Sequence, residues 1–221
     1  MDARKLPPLA RRIRGERLTY LSPRKLQSLV ALLAVVDNED VLGGCVEAGV
    51  ALGGTAILLA KAAADRGSTF DGYDVFAQIP APSENDPPEV HERYRVISHG
   101  KSRGIGGDVY YGYRPDLYEF VGQKFSEFGV PLSECIQLHE GLFEDTLVPS
   151  RPVALAHIDC DWHDPVALCL DRIYPHMSRG GFFVIDDYYS YGGCTVATDR
   201  FRSRVSLETY REKDHLVLRK V

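Results

Sequence analysis

Residues 153–160 (VALAHIDC) form a near-continuous apolar run that stops at Asp159-Cys160-Asp161. It is too short to cross a membrane and too uniformly apolar for a strand with one wet face. It predicts a strand buried on both faces, with acids at its C-terminal tip. Such a strand needs helices on both sides of a sheet, and the flanking sequence supplies them. Ser22 is a plausible N-cap, Pro23 suits the first helical position, and Leu26, Leu29, Val30 and Leu33 recur at helical spacing, predicting a helix to about Val36. Residues 41–47 read as a short buried strand ending at Gly49. Gly53-Gly54-Thr55 opens an alanine-rich helix to Arg66, and residues 69–75 (TFDGYDV) read as a second strand whose last acid is Asp74.

Residues 76 to about 114 carry prolines, glycines and three tyrosines, and are expected to be a long irregular segment of the kind that bears function. Beyond it, Leu117, Phe120, Val121, Phe125 and Phe128 predict an amphipathic helix, and residues 135–138 a third strand. A helix is expected from about Pro165 to Met177, with Asp164 as its cap, and then a fifth strand, residues 182–185, ending in Asp186-Asp187. A helix over 196–204 and a closing antiparallel pair, 206–210 with 215–218, complete the reading. Alternating strands and helices imply an α/β fold with a mostly parallel sheet and a ligand crevice at the strands' C-terminal edge.

The 221 residues include 26 Lys and Arg against 31 Asp and Glu, giving a formal charge of -5 that argues against nucleic acid as the main partner. No membrane span is expected, and five cysteines without a CxxC pair predict a soluble, cytoplasmic protein. The basic residues 1–20 lack the apolar stretch of a signal peptide, leaving a solvated arm or partial lid, with an Arg-rich transit segment as the alternative.

The turn from Glu47 through Gly49 to Gly53 lets backbone approach a ligand, but its spacing is not the GxGxxG that seats a dinucleotide pyrophosphate. Glu47 would repel a diphosphate and attract an ammonium and hydroxyls, as a methionine-derived sulfonium cofactor presents. Asp74 is placed for a ribose diol. The alternative is that the glycines only permit close helix packing. Asp159, Asp161, Asp186 and Asp187 crowd two strand tips, and a hard cation such as Mg2+ resolves their repulsion. Asp159, Asp186 and Asp187 are assigned to the metal and Asp161 to a general base, with N-caps as the bland alternative.

These residues lie in VEAGVALGGTA, GLFEDTL, HIDCDWHDP and GGFFVIDDY followed by GGCTVATDRFR, and across most of residues 21–204 the chain resembles the macrocin O-methyltransferase family. Its members are metal-dependent S-adenosylmethionine enzymes that methylate sugar hydroxyls of macrolide and aminocoumarin antibiotics. The resemblance implies a Rossmann-like class I methyltransferase domain over 21–221, strand order 3-2-1-4-5-7-6, with an acceptor-binding insertion at about 76–114. It implies S-adenosylmethionine at Glu47, Gly49, Gly53, Thr55, Asp74, Phe143 and Asp159, Mg2+ at Asp159, Asp186 and Asp187, and a small-molecule acceptor bearing hydroxyls. Self-association is implied in the same way. The sequence departs from the family at Trp162-His163 and at DVFAQIP after Asp74, which leaves the acceptor open between a sugar or other vicinal diol and a catechol-type ring.

His163 is the second candidate for the catalytic base, with a polar residue beside a helix start as its alternative. Tyr110, Tyr111, Tyr113 and Trp162 are candidate acceptor contacts, and the tyrosines are equally able to anchor the loop to the core. His99 is a further candidate acceptor contact, and Lys101 and Arg103 could meet an anionic acceptor; the alternative for all three, and the preferred reading, is a solvent-facing loop residue. A nicotinamide oxidoreductase and a non-catalytic cofactor-binding protein are the competing classes.

Overall fold

The computed structural model describes residues 6–221. Five parallel strands, β1 (Gly44–Ala48), β2 (Phe70–Asp74), β3 (Ile136–Glu140), β4 (Val153–Ile158) and β5 (Met177–Ile185), are joined by β6 (Leu207–Lys213) and β7 (His215–Lys220). They form one sheet in the order β3-β2-β1-β4-β5-β7-β6, with β7 antiparallel to both neighbours, as the resemblance implies.

Helices α1 (Pro8–Gly15), α2 (Pro23–Asn38), α3 (Gly54–Asp65) and α5 (Leu117–Glu127) bury their apolar stripes on one face of the sheet. The short α6 (Phe143–Thr146) with α7 (His163–Ile173) and α8 (Gly192–Arg202) covers the other. The period-2 alternation of β5 shows how both faces are served: Phe182 and Val184 enter the first core, Phe183 and Ile185 the second. Ser22 caps α2 by accepting from the Lys25 amide at 3.2 Å, with Pro23 behind it. In α1, Ala10 and Ile13 are fully buried, so this part of the N-terminal segment is a piece of the core.

Three expectations change. The 76–114 segment contains a helix, α4 (Pro88–Ser98), with Pro88 in its first turn, followed by two 3-10 turns, Ile105–Gly107 and Tyr111–Tyr113. Helix α7 starts at His163 rather than Pro165, so Asp164 lies in its first turn and hydrogen-bonds the His163 ring and the Asn85 amide instead of capping. Strand β5 begins at Met177, with Gly180, at φ +81°, in an irregularity within the strand where its pairing with β4 shifts register, rather than in a helix-ending turn.

Candidate active site

The acids gather because β4 and β5 pair in register, Ile158 opposite Ile185, which brings Asp159 level with Asp186. The Asp186 amide donates to the Ile158 carbonyl at 3.0 Å, and the Asp159 amide to the Ala48 carbonyl at 2.9 Å. Strand alternation then sends two consecutive acids to different surroundings. Asp186 follows Phe182 and Val184 toward α2, where Lys25 Nζ donates to its Oδ2 at 2.6 Å and to its carbonyl at 3.0 Å. His157 and His215 flank it at 3.8 and 3.6 Å. Burial alone would raise the Asp186 pKa, but these cationic and hydrogen-bonding partners outweigh it and hold the carboxyl well below its usual range.

Asp187 instead meets Asp159 and Asp161, one oxygen from each lying within 4.8 Å of the others. Asp161 reaches the cluster from a left-handed backbone, φ +62°, a conformation Asp tolerates better than most non-glycine residues. Burial first, and then the charges of neighbouring carboxylates, raise the pKa of all three, most strongly at Asp159 and Asp161; at Asp187 the repelling neighbour is Asp186, while Asp161 and Asp159 pull its pKa down. Asp187 Oδ2 is buried without a hydrogen-bond partner. A converging set of hard oxygen donors, half-buried at Asp159 and Asp161 and buried at Asp187, where one oxygen is unsatisfied, fits a divalent cation such as Mg2+.

On the α2 side of the sheet the same alternation lines up a polar row. Glu47 of β1 lies opposite His157 of β4, and its Oε1 is 2.8 Å from His157 Nδ1. Burial pushes Glu47 up to about 7 against the pull of His157. Burial depresses His157, but Asp186 and Glu47 on either side outweigh it and lift the imidazole to about 10. Ser28 of α2 meets His215 Nε2 at 2.8 Å at the far end.

Two adjoining cavities open at this edge. The larger, about 250 Å3, has Gly49, Asp74 and Asp159 on one side and Phe143, Asp161 and Trp162 on another. Asp74 Oδ2 accepts from the Val50 and Ala51 amides at 2.8 Å each, and Oδ1 from Phe76 at 2.8 Å, so the acid fixes the glycine turn as well as facing the cavity. Gly49 has φ +97°, and a Cβ there would collide with the Asp159 carbonyl oxygen. The smaller cavity, about 150 Å3, shares Asp159, Asp161 and Trp162 and is walled by Tyr20, Tyr111, Arg93 and Tyr191. Trp162 Nε1 donates to the Pro80 carbonyl at 3.0 Å, which fixes the indole between the two.

Gly49, Asp74, Phe143, Asp159, Asp161, Tyr110, Tyr111 and Trp162 line one or both cavities. Glu47 lies beneath them in the polar row, and Gly53 and Thr55 start α3, the Thr55 hydroxyl meeting Thr19 at 3.2 Å. Tyr113 is an anchor: its hydroxyl donates to the Ile97 carbonyl at 2.6 Å and accepts from the Ser102 amide. His163 is buried outside both cavity walls, its Nδ1 2.6 Å from Asp164 and its amide bonded to Asp86.

Sequence reasoning missed Lys25, Tyr20, Arg93 and Tyr191. For Arg93 a signal existed, since Pro87-Pro88 followed by Glu89 is a helix start. Lys25, Tyr20 and Tyr191 reach the site only through tertiary packing.

Comparison with known proteins agrees with this geometry. The chain is 28% identical over 191 residues to the 8-demethyl-8-(2,3-dimethoxy-alpha-L-rhamnosyl)-tetracenomycin-C 4'-O-methyltransferase of Streptomyces olivaceus, covering 86% of this chain and 69% of that one. It is 26% identical over 200 residues to the demethyldecarbamoylnovobiocin O-methyltransferase of Streptomyces niveus, with 86% and 69% covered. The solved structure of the O-methyltransferase NovP superposes with a TM-score of 0.74 at 25% identity, over 92% of this chain and 82% of that one. The profile of the Macrocin-O-methyltransferase (TylF) family matches residues 14–213, a span that holds every acid of the cluster and both cavities. With that match, the sheet order and the strand-tip acids in agreement, the chain belongs to the macrocin-O-methyltransferase family, and it is an O-methyltransferase.

Proposed function

We propose that this enzyme moves the methyl group of S-adenosylmethionine to a hydroxyl of a sugar or other vicinal diol in a natural product, with Mg2+ at the acid cluster. The observation that carries this reading is the convergence of Asp187 with Asp159 and Asp161, two acids that line both cavities. When bound, the sulfonium supplies an electrophilic methyl and the cation supplies charge that acidifies the acceptor hydroxyl.

The chain does the rest. Gly49 lets the backbone come close to a ligand in the larger cavity, and Asp74, beside it, is oriented by three amides to meet a ribose. Phe143 lines the larger cavity, and Trp162, which borders both, excludes water from the path between them. Asp159 and Asp187 hold the cation. Asp161, beside both, takes the hydroxyl proton. Asp186, assigned to the metal from the sequence, has its Oδ2 engaged by Lys25 and stands outside the converging set of Asp159, Asp161 and Asp187. No described helix is long and apolar enough to cross a membrane, all five cysteines are unpaired, and a cytoplasmic setting suits both facts.

Isothermal titration with S-adenosylhomocysteine and with NADH separates this reading from an oxidoreductase on a similar sheet. Binding of the first alone is expected, and binding of NADH alone overturns the proposal. In a screen of polyols and catechols, turnover should vanish with EDTA and return with Mg2+. Full activity without a divalent ion removes the metal from the scheme.

A further inference from the structure

The smaller cavity contains a single basic side chain, Arg93, and the larger one contains none. Arg93 extends from the middle of α4, half buried. Its Nη2 donates to Ser102 Oγ at 3.0 Å, and Ser102 is held in turn by Tyr113. The guanidinium is thus braced by a neutral hydroxyl. Two residues on, Arg95 pairs with Glu92 at 2.9 Å, whereas Arg93 has no carboxylate within salt-bridge distance among the described residues.

Three acids, Asp74, Asp159 and Asp161, line the same cavity, and much of the remaining wall is aromatic: Tyr20, Tyr110, Tyr111, Trp162 and Tyr191. A ligand filling this space displaces the water that solvates Arg93. A neutral ligand would leave that charge desolvated and unpaired, which is costly. A carboxylate or phosphate would satisfy it through a bidentate pair, while the three acids repel the same group and fix the ligand's orientation. Lys25 pairs with Asp186, whereas Arg93 acts on Asp161 only through space and has no carboxylate partner among the described residues.

We infer that Arg93 is a specificity-determining residue: the acceptor carries an anionic group, a carboxylate or phosphate, that docks on Arg93 while its hydroxyl lies at Asp161. The inference rests on the O-methyltransferase reading of this site and names the acceptor's chemical class. Phosphate and carboxylate share the recognition chemistry, and the arms of the test tell them apart.

Trp162 is the one tryptophan of the chain and borders both cavities, so its fluorescence reports occupancy. The enzyme is first loaded with S-adenosylhomocysteine and Mg2+, followed by calorimetry; failure at that step sinks the parent reading rather than this one. Methyl glucoside, glucuronate and glucose 6-phosphate are then titrated, with catechol against protocatechuate as a second set. Tighter binding of a charged member, by about tenfold or more, is expected in at least one arm. Arg93→Gln should bring the charged-to-neutral ratio close to one, and Arg93→Lys should keep it above one. Equal affinities in the wild type, no binding by any member, or an equal loss of both members in the two variants overturns the proposal, the last by making Arg93 a structural brace. The wild-type ratio alone decides the matter if a variant does not fold.

Discussion

Asp186 and Asp187 are chain neighbours with opposite electrostatic surroundings, and the difference is one step of strand alternation. Asp186 is stabilised as an anion by Lys25, whereas Asp187, Asp159 and Asp161 crowd one another. Replacing Asp161 by Asn keeps the shape and removes the proton acceptor, so turnover is expected to fall by about a hundred- to ten-thousand-fold with S-adenosylhomocysteine affinity unchanged. A wild-type rate in single-turnover assays would clear Asp161 of that role. Asp187→Ala should lose the response to added Mg2+ along with activity, read by titrating the metal into EDTA-stripped enzyme. His157 carries a pH prediction. Its pKa is raised from 6.5 to about 10, so the fold favours the imidazolium. The stability it contributes is complete below pH 6.5 and is lost as pH climbs through 10. Melting temperatures over that window should decline in the wild type and be flatter in His157→Gln; parallel curves would contradict the assignment.

At the level of elements, the strand–turn–helix units and the parallel sheet are legible in the sequence because buried strands must be apolar and helices must carry apolar stripes. The 153–160 run locates the sheet's centre, and the acids after it locate the crevice. Asp159, Asp161 and Asp187 were readable as a cluster for that reason. The pairing of Asp186 with Lys25 was not, since 161 residues separate the partners and only the packing of α2 joins them. Helix α4 was hidden by prolines before it and glycines after it, around an otherwise ordinary amphipathic stretch whose buried residues are just Val90 and Ile97. The glycine turn gives an element-scale prediction. Gly49→Ala combines a positive φ with a clash against the Asp159 carbonyl. It is expected to cost about 1–3 kcal/mol for each of these effects and to weaken S-adenosylhomocysteine binding. Gly67, also at positive φ but with no atom near its Cβ position, is the control, and should cost stability without touching binding.

Across the whole molecule, the cover over the site is assembled from segments far apart in the chain. The 3-10 turns of the 76–114 segment meet the N-terminal region through the Arg17–Asp108 pair at 3.0 Å and through the Tyr20 and Tyr111 rings, 5.9 Å apart edge to face. The ion pair is exposed and contributes little, about 0–1 kcal/mol, so the packing of α1 is what holds this corner. Deleting the chain through Arg17 removes Ala10 and Ile13 from the core, and a fall in melting temperature together with weaker acceptor binding is expected. An unchanged melt would show that the helix is dispensable.

The salt link between Lys25 and Asp186 also governs when the centre exists during synthesis. A residue of α2 is locked by one that follows 161 residues later, and His215 of β7 closes the row. On a nascent chain the glycine turn after β1 is therefore made long before its ionic keystone, which waits for β5, and the row is finished only with β7. The order of synthesis places the turn first and its electrostatic support second.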